Sequence, residues 1–293
     1  MTSLLDRMSE DMQVRNLAAL TQVSYRLQVA QFSRYLHKPI DDLEQLTIED
    51  IRDYQIHLTR DKHLAPKSIG VAVCALRFLY KHTLHKDWNF DAAIPAPRTP
   101  RTLPEVLSPE EVERFLDSIP HLRDRTILTA CYAAGLRISE AVNLRIGDID
   151  SQRMVLRVDQ GKGRKDRYVM LSPRLLEMLR TWWRQQRPPH LLFPGDKPDR
   201  PIAVHTLQTA AKRARAASGI AKPITPHSMR HAFAVHLLES GVDVRTIQLL
   251  LGHRSLATTA QYLRIATNKV CAVVSPFDRL GSRSTEVKTE ATR

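Results

Sequence analysis

Residues 225–263 read TPHSMRHAFAVHLLESGVDVRTIQLLLGHRSLATTAQYL, and their punctuation lays out three helices in a row. Thr225-Pro226 is a start signal: a hydroxyl residue to cap the helix and a proline at its first position. That helix ends at Gly241. Asp243 caps the next helix, Gly252 closes it, and Ser255 opens the third. With Pro226 as first helical residue, His227 and Arg230 fall one turn apart on one face, beside free N–H groups that favour an anion. His227 and His231 are also i and i+4, which is metal-ligand spacing. A metal needs a third ligand, and the glutamate of metalloprotease helices is absent beside His227, so no metal is expected. His253 projects from the turn after Gly252, and Tyr262 lies nine residues further on. Taken singly, these residues also suit a capped surface helix and a packed tyrosine.

Upstream, the pattern is mixed but mostly helical. Ser108-Pro109-Glu110-Glu111 combines a capping serine, a first-turn proline and a glutamate at the third position, and this helix stops before Pro120. A helix from about Leu122 runs to Gly135, followed by Arg137 and Glu140. Two short β-branched or alternating runs, Met154–Asp159 and Arg167–Leu171, flank the glycine-rich stretch 160–166 and predict a β-hairpin whose turn carries Lys162. Helices open again at Ser172-Pro173 and around Leu207, the second striped by Leu207, Ala210, Ala211 and Ala214. Trp182 and Trp183 read as core and rim packing. The fold class is therefore mainly α with a small β-hairpin or sheet, α+β.

The first 90 residues show no strand pattern. Val23, Leu27, Ala30 and Leu36 form one helical stripe, Ile51, Tyr54 and Leu58 a second after the capping-box-like Thr47–Asp50, and Ile69, Val73, Leu76 and Tyr80 a third after Pro66. About four helices are expected. Pro95, Pro97, Pro100 and Pro104 then fall within 14 residues, which reads as an inter-domain linker. The expected division is a helical domain over 1–90, a linker over 91–104, a second domain over 105–275 and a polar tail over 276–293.

Composition narrows the partners. The chain has 293 residues, with 43% hydrophobic and 26% charged side chains, which is globular usage and enough chain for two cores. No apolar run reaches the length of a membrane span and no signal segment is visible, so no membrane association is expected. Three widely spaced cysteines, Cys74, Cys131 and Cys271, make neither a disulfide framework nor a zinc pattern and fit a reducing compartment. The net charge of +13 is unevenly placed: residues 1–105 hold 14 Lys and Arg against 13 Asp and Glu, residues 106–293 hold 30 against 18. Such an excess favours a polyanion, nucleic acid above all. Arg164, Lys165 and Arg167 around Lys162, and Lys212, Arg213 and Arg215 on the alanine-striped helix, are candidate DNA contacts.

Arg137 in GLRISE, Lys162 in GKGRKDR, His227 and Arg230 in PHSMRH, His253 in LLLGHRS and Tyr262 in TTAQYL occur in an order that resembles the tyrosine recombinase, or phage integrase, family. The spacing is similar to that of Xer-type members, and the tail over 270–278 resembles integrases of insertion-sequence-type mobile elements. The resemblance covers about residues 103–265, and it makes the N-terminal helices a core-binding, SAM-like domain. It implies a site-specific recombinase or integrase: Tyr262 attacks a DNA phosphodiester, a 3′-phosphotyrosine forms, a 5′-hydroxyl leaves, and a second 5′-hydroxyl reverses the step without ATP, metal or other cofactor. Arg137 and Arg230 then hold the phosphorane oxygens, His227 and His253 position the phosphate, Lys162 protonates the leaving oxygen, and Glu140 and His231 are accessory. The implied partners are double-stranded DNA, a homotetramer in the synaptic complex and, in some systems, a partner recombinase. The implied location is cytoplasmic and nucleoid-associated. The same residues would serve a type IB topoisomerase-like relaxation, or a DNA-binding accessory protein of a mobile element.

Overall fold

A capping side chain marks the start of most of the helices. In the computed structural model, which describes residues 3–98, 105–159 and 166–264, the chain divides into two units, Met1–Thr102 and Leu103–Arg293. Lys162, Arg164 and Lys165, with the second half of the proline-rich segment and the polar tail, lie outside the described residues.

The first unit contains α1 (Leu4–Val14), α2 (Ala19–Leu36), α3 (Ile48–Arg60), α4 (Pro66–Phe78) and a short α5 (Phe90–Ala93). Thr47 and Asp50 exchange side-chain and backbone hydrogen bonds at the start of α3, and Pro66 opens α4, as the sequence predicts. α4 runs on through one π-helical turn, Leu79–Thr83, which buries Tyr80 so that its hydroxyl donates to Leu43 O at 3.0 Å. The stripes expected for α3 and α4 are buried. The stripe expected for α2 is not: Val23 and Leu27 are 64% and 49% exposed, while Val29 and Phe32 face the core. α2 carries apolar residues on more than one face, so packing against its neighbours, rather than spacing, selects the side that is buried.

The second unit contains α6 (Pro109–Asp117), α7 (Leu122–Ala133), α8 (Ile138–Val142), strands β1 (Ile149–Asp150), β2 (Val155–Val158) and β3 (Arg167–Met170), then α9 (Pro173–Gln186), α10 (Val204–Ser218), α11 (Pro226–Glu239), α12 (Val244–Leu251) and α13 (Leu256–Ala260). The strands form an antiparallel sheet in the order β1-β2-β3, with Val155 opposite Met170 and Val158 opposite Arg167. The hairpin was legible; β1 and α8 are too short to leave a period. α7 and α11 show little amphipathicity because they pack against each other in the middle of the unit and bury residues on most faces. Trp182 donates to Leu192 O at 2.7 Å, and Arg187 lies over the Trp183 ring, so both indoles serve packing. Among the described residues no helix is long and apolar enough to cross a membrane.

Gly135 ends α7 in the left-handed region, φ +62°, and an added Cβ would lie 2.5 Å from the Phe233 ring on α11. Gly135→Ala is therefore expected to cost about 3 kcal/mol, part backbone strain and part collision. Gly219 has φ +68° with open space around it, so Gly219→Ala should cost only about 1 kcal/mol. Equal losses for the two variants in thermal melts would refute the collision.

Candidate active site

The end of α7, α8, β3, α11 and the α12–α13 segment bring their polar side chains to one place. Gly135 turns the chain so that Arg137 becomes the N-cap of α8. Its backbone N–H donates to Glu140 Oε2 at 2.8 Å and its guanidinium to Glu140 Oε1 at 2.7 Å. The same carboxylate takes a two-pronged bond from Arg167 at the start of β3, at 3.0 and 2.7 Å. Arg167 Nε donates to Leu250 O at 2.8 Å, tying β3 to α12. Arg230, one turn into α11, donates to Gly135 O at 2.6 Å and to Leu251 O, and lies 3.7 Å from Glu140. Three guanidinium groups thus surround one buried carboxylate.

Gly252 closes α12 at φ +61°, where a Cβ would lie 3.0 Å from Arg167 Cδ, and this tight turn delivers His253. His253 is held by its own backbone, exchanging hydrogen bonds with the backbone and side chain of Gln248, and by Nδ1 against Thr259 Oγ1 at 2.9 Å. Tyr262 sits in a 3₁₀ turn, Gln261–Arg264, after α13 and is 2% exposed. Its hydroxyl lies 2.8 Å from His231 Nδ1, and its ring lies near-parallel to His253, centroids 6.5 Å apart. His227, at the first turn of α11, meets His231 edge-on at 4.3 Å between centroids.

The electrostatics follow from this geometry. Burial pushes the Glu140 carboxyl up, but the Arg167 hydrogen bonds and charge, then the Arg137 N–H and guanidinium, hold it at about 2. Burial lowers Arg230 to about 10, assisted by Arg137 and Arg167 and opposed by Glu140, so it stays charged at neutral pH. His231 and His253 are both pushed down to about 4, mainly by burial, then by His227 and Arg230 for the first and by Arg230 and Arg137 for the second. His227 is lowered by burial, Arg230 and Arg137. Burial raises Tyr262 against the pull of Arg230. The resting cluster holds neutral imidazoles and a neutral phenol beside fixed positive charge, an arrangement that suits an incoming anion.

Arg137, Glu140, His227, Arg230, His231, His253 and Tyr262 are brought together. Arg167, expected with Arg164 and Lys165 as a candidate DNA contact, instead turns inward: its side chain is 10% exposed and is engaged by Glu140 and Leu250 O. A residue at a strand's first position reaches whichever side its partner occupies, and sequence spacing does not show that partner. On α10, the buried Leu207, Ala211 and Ala214 leave Lys212 and Arg213 exposed, while Arg215 donates to Ala221 O at 2.6 Å. Gln248 and Thr259 were missed. Gln248 left a faint signal as the polar residue before three leucines; Thr259 left none.

A family model described as Phage integrase family matches residues 105–269, and one described as Phage integrase, N-terminal SAM-like domain matches residues 4–90. A Sinorhizobium fredii protein named "Putative integrase/recombinase y4qK" is 60% identical over 280 residues, covering 96% of this chain and 90% of that protein. Tyrosine recombinase XerD of Corynebacterium glutamicum is 33% identical over 278 residues, covering 87% of this chain and 91% of that one. Among solved structures, XerH bound to difH substrate in a pre-cleavage complex superposes with a TM-score of 0.68 at 25% identity, over 91% of this chain and 84% of that one. A lambda integrase dimer bound to a COC′ core site shares the fold, with a TM-score of 0.69 at 20% identity over 87% and 95%.

Proposed function

The chain belongs to the phage integrase family, the tyrosine recombinases, and from that premise we propose that Tyr262 is the nucleophile of its DNA strand transfer. The enzyme is a tyrosine-type site-specific recombinase that cuts and rejoins DNA. The Tyr262 oxygen attacks phosphorus, a 3′-phosphotyrosine forms, and the 5′-oxygen leaves with a proton supplied by Lys162. A 5′-hydroxyl from the exchanged strand then attacks the phosphotyrosine, giving its proton back to Lys162, and the Tyr262 oxygen leaves and is reprotonated. Bond energy is conserved, so no nucleotide is consumed.

The convergence of Tyr262 with two arginines and three imidazoles carries this reading. Five-coordinate phosphorus places extra negative charge on its non-bridging oxygens. Arg137 and Arg230, oriented beforehand by Glu140 and the carbonyls of Gly135 and Leu251, meet that charge with little reorganisation. His227 and His253 add hydrogen bonds to the phosphate, while Glu140 is the shared counter-charge that holds Arg137 and Arg230 side by side and Arg167 keeps Glu140 in place. Arg164, Lys165, Lys212, Arg213 and Arg215 serve phosphate contact rather than chemistry, and the synaptic complex is a homotetramer on two DNA sites. Residues 1–90 act as the core-binding domain, 91–104 as linker and 105–275 as the catalytic domain; the SAM-like match over 4–90 supports the first assignment.

Covalent trapping tests the reading. Duplexes tiled across the DNA flanking the coding sequence, nicked so that a cleaved fragment diffuses away, should yield a protein–DNA band on denaturing gels. Peptide mass spectrometry should place the adduct on Tyr262, at a 3′-phosphate. An adduct on another residue would sink the nucleophile. No adduct, with salt-sensitive DNA binding retained, would favour an accessory DNA-binding role.

A further inference from the structure

A buried phenol held above its ordinary pKa cannot attack phosphorus until something takes its proton. Gln261, beside the hydroxyl, is a neutral amide and accepts no proton. Glu140 is held as a carboxylate by Arg137 and Arg167 and is a poor base. His253 has its Nδ1 committed to Thr259. His231 Nδ1 lies 2.8 Å from the Tyr262 oxygen, within proton-transfer reach.

We propose that His231 is a catalytic base: its Nδ1 takes the Tyr262 proton as the phenolic oxygen bonds to phosphorus, and returns it when the phosphotyrosine is resolved. In the forward step the Tyr262 O–H bond breaks and a bond from His231 Nδ1 to hydrogen forms. The P–O bond to Tyr262 forms as the P–O bond to the 5′-oxygen breaks, and that oxygen receives a separate proton from Lys162. The proposal rests on Tyr262 being the nucleophile.

The surroundings explain why the base is idle without DNA. Facing the cluster are His227 and Arg230 on the same helix, Tyr262 and His253 from the segment after α11, Arg137 and Glu140 on α8, and Arg167 on β3. His231 is held neutral by burial, His227 and Arg230. A phosphate seated on Arg230 cancels part of that positive charge, so His231 becomes more basic as the substrate docks. The position was singled out in the sequence by its i, i+4 spacing from His227, and the structure gives that second histidine an occupation: the tyrosine hydroxyl.

His231→Asn tests it, because the Asn Oδ1 takes the place of Nδ1 and keeps a hydrogen-bond acceptor without a base. Single-turnover cleavage is measured on the nicked duplex that traps best with wild type, and on the same duplex with sulfur replacing the bridging 5′-oxygen, a leaving group that needs no acid. A loss of about 10²-fold or more near pH 7 is expected on both duplexes, with the pH–rate limb moved to higher pH. Activity within threefold of wild type, recovery on the sulfur duplex, or a slow rate with an unmoved pH profile would each overturn the proposal. Without DNA, the ¹⁵N shift of His231 Nδ1 should change in Tyr262→Phe; no change would also overturn it. Failure of the underlying reading looks different: Tyr262→Phe would still form the covalent adduct.

Discussion

Arg230→Lys is expected to slow strand cleavage by about 10²–10³-fold, the usual effect of losing one donor to a developing oxyanion, while DNA affinity stays nearly intact. The guanidinium has five N–H groups on a rigid plane. Two go to Gly135 O and Leu251 O, which belong to different elements, and the group also lies 3.7 Å from Glu140. A lysine ammonium gathers three donors on one nitrogen and cannot bridge two carbonyls and an oxyanion at once. Arg230 is 1% exposed and is one of 44 basic residues, so its loss is felt in chemistry rather than in grip. An unpaired buried carbonyl adds about 1–3 kcal/mol of destabilisation. Rapid-quench cleavage, a binding titration and a thermal melt separate the three effects. A tenfold weaker binder with a normal cleavage rate once bound would contradict the assignment.

Glu140→Ala is expected to cost about 3–5 kcal/mol of stability, because it leaves Arg137, Arg167 and Arg230 facing one another with no counter-charge. Glu140→Gln, which keeps the shape and part of the hydrogen bonding, should lose less. The sign with pH is fixed by the direction of the shift. A carboxyl held at about 2 in the folded chain, against about 4.5 when free, contributes its stabilisation above pH 4.5 and loses it as pH falls toward 2. That contribution is of order 3 kcal/mol at neutral pH. The acid limb of the melting curve should therefore be shallower in Glu140→Gln than in wild type. Sulfate should restore part of the lost melting temperature in Glu140→Ala by standing in for the missing carboxylate. Parallel acid limbs, or no response to sulfate, would show that the carboxylate does not organise the pocket.

Much of the second unit could be read from punctuation. Ser108, Pro109 and Glu111 build the start of α6, and Asp243 and Gly252 bound α12, because a cap satisfies its backbone groups within a few residues. The same locality explains the failures. The exposed side of α2 carries Val23 and Leu27, and only the packing partner decides that Phe32 is the buried one. Arg167 looked like its neighbours in the basic run, yet its partners, Glu140 and Leu250, lie 27 and 83 residues away in sequence. Tyr262 and His253 were recognisable by residue type and order, whereas the bonds that aim them, to His231 and Thr259, exist only after folding.

The carboxylate among the three arginines also divides the protein's response to salt. The slope of DNA affinity against salt counts the phosphates whose condensed counterions are displaced by the protein's cations. Glu140 offsets one of the three charges of Arg137, Arg167 and Arg230, so the pocket keeps a fixed positive charge with room for a single phosphate's worth of anion. If the exposed Lys212 and Arg213 contact phosphates as proposed, most of the slope is expected to come from such cations on open faces. Ionic strength is therefore expected to change residence on DNA more than the cleavage rate of the DNA that remains bound, because the pocket's charges are buried and fixed by folding.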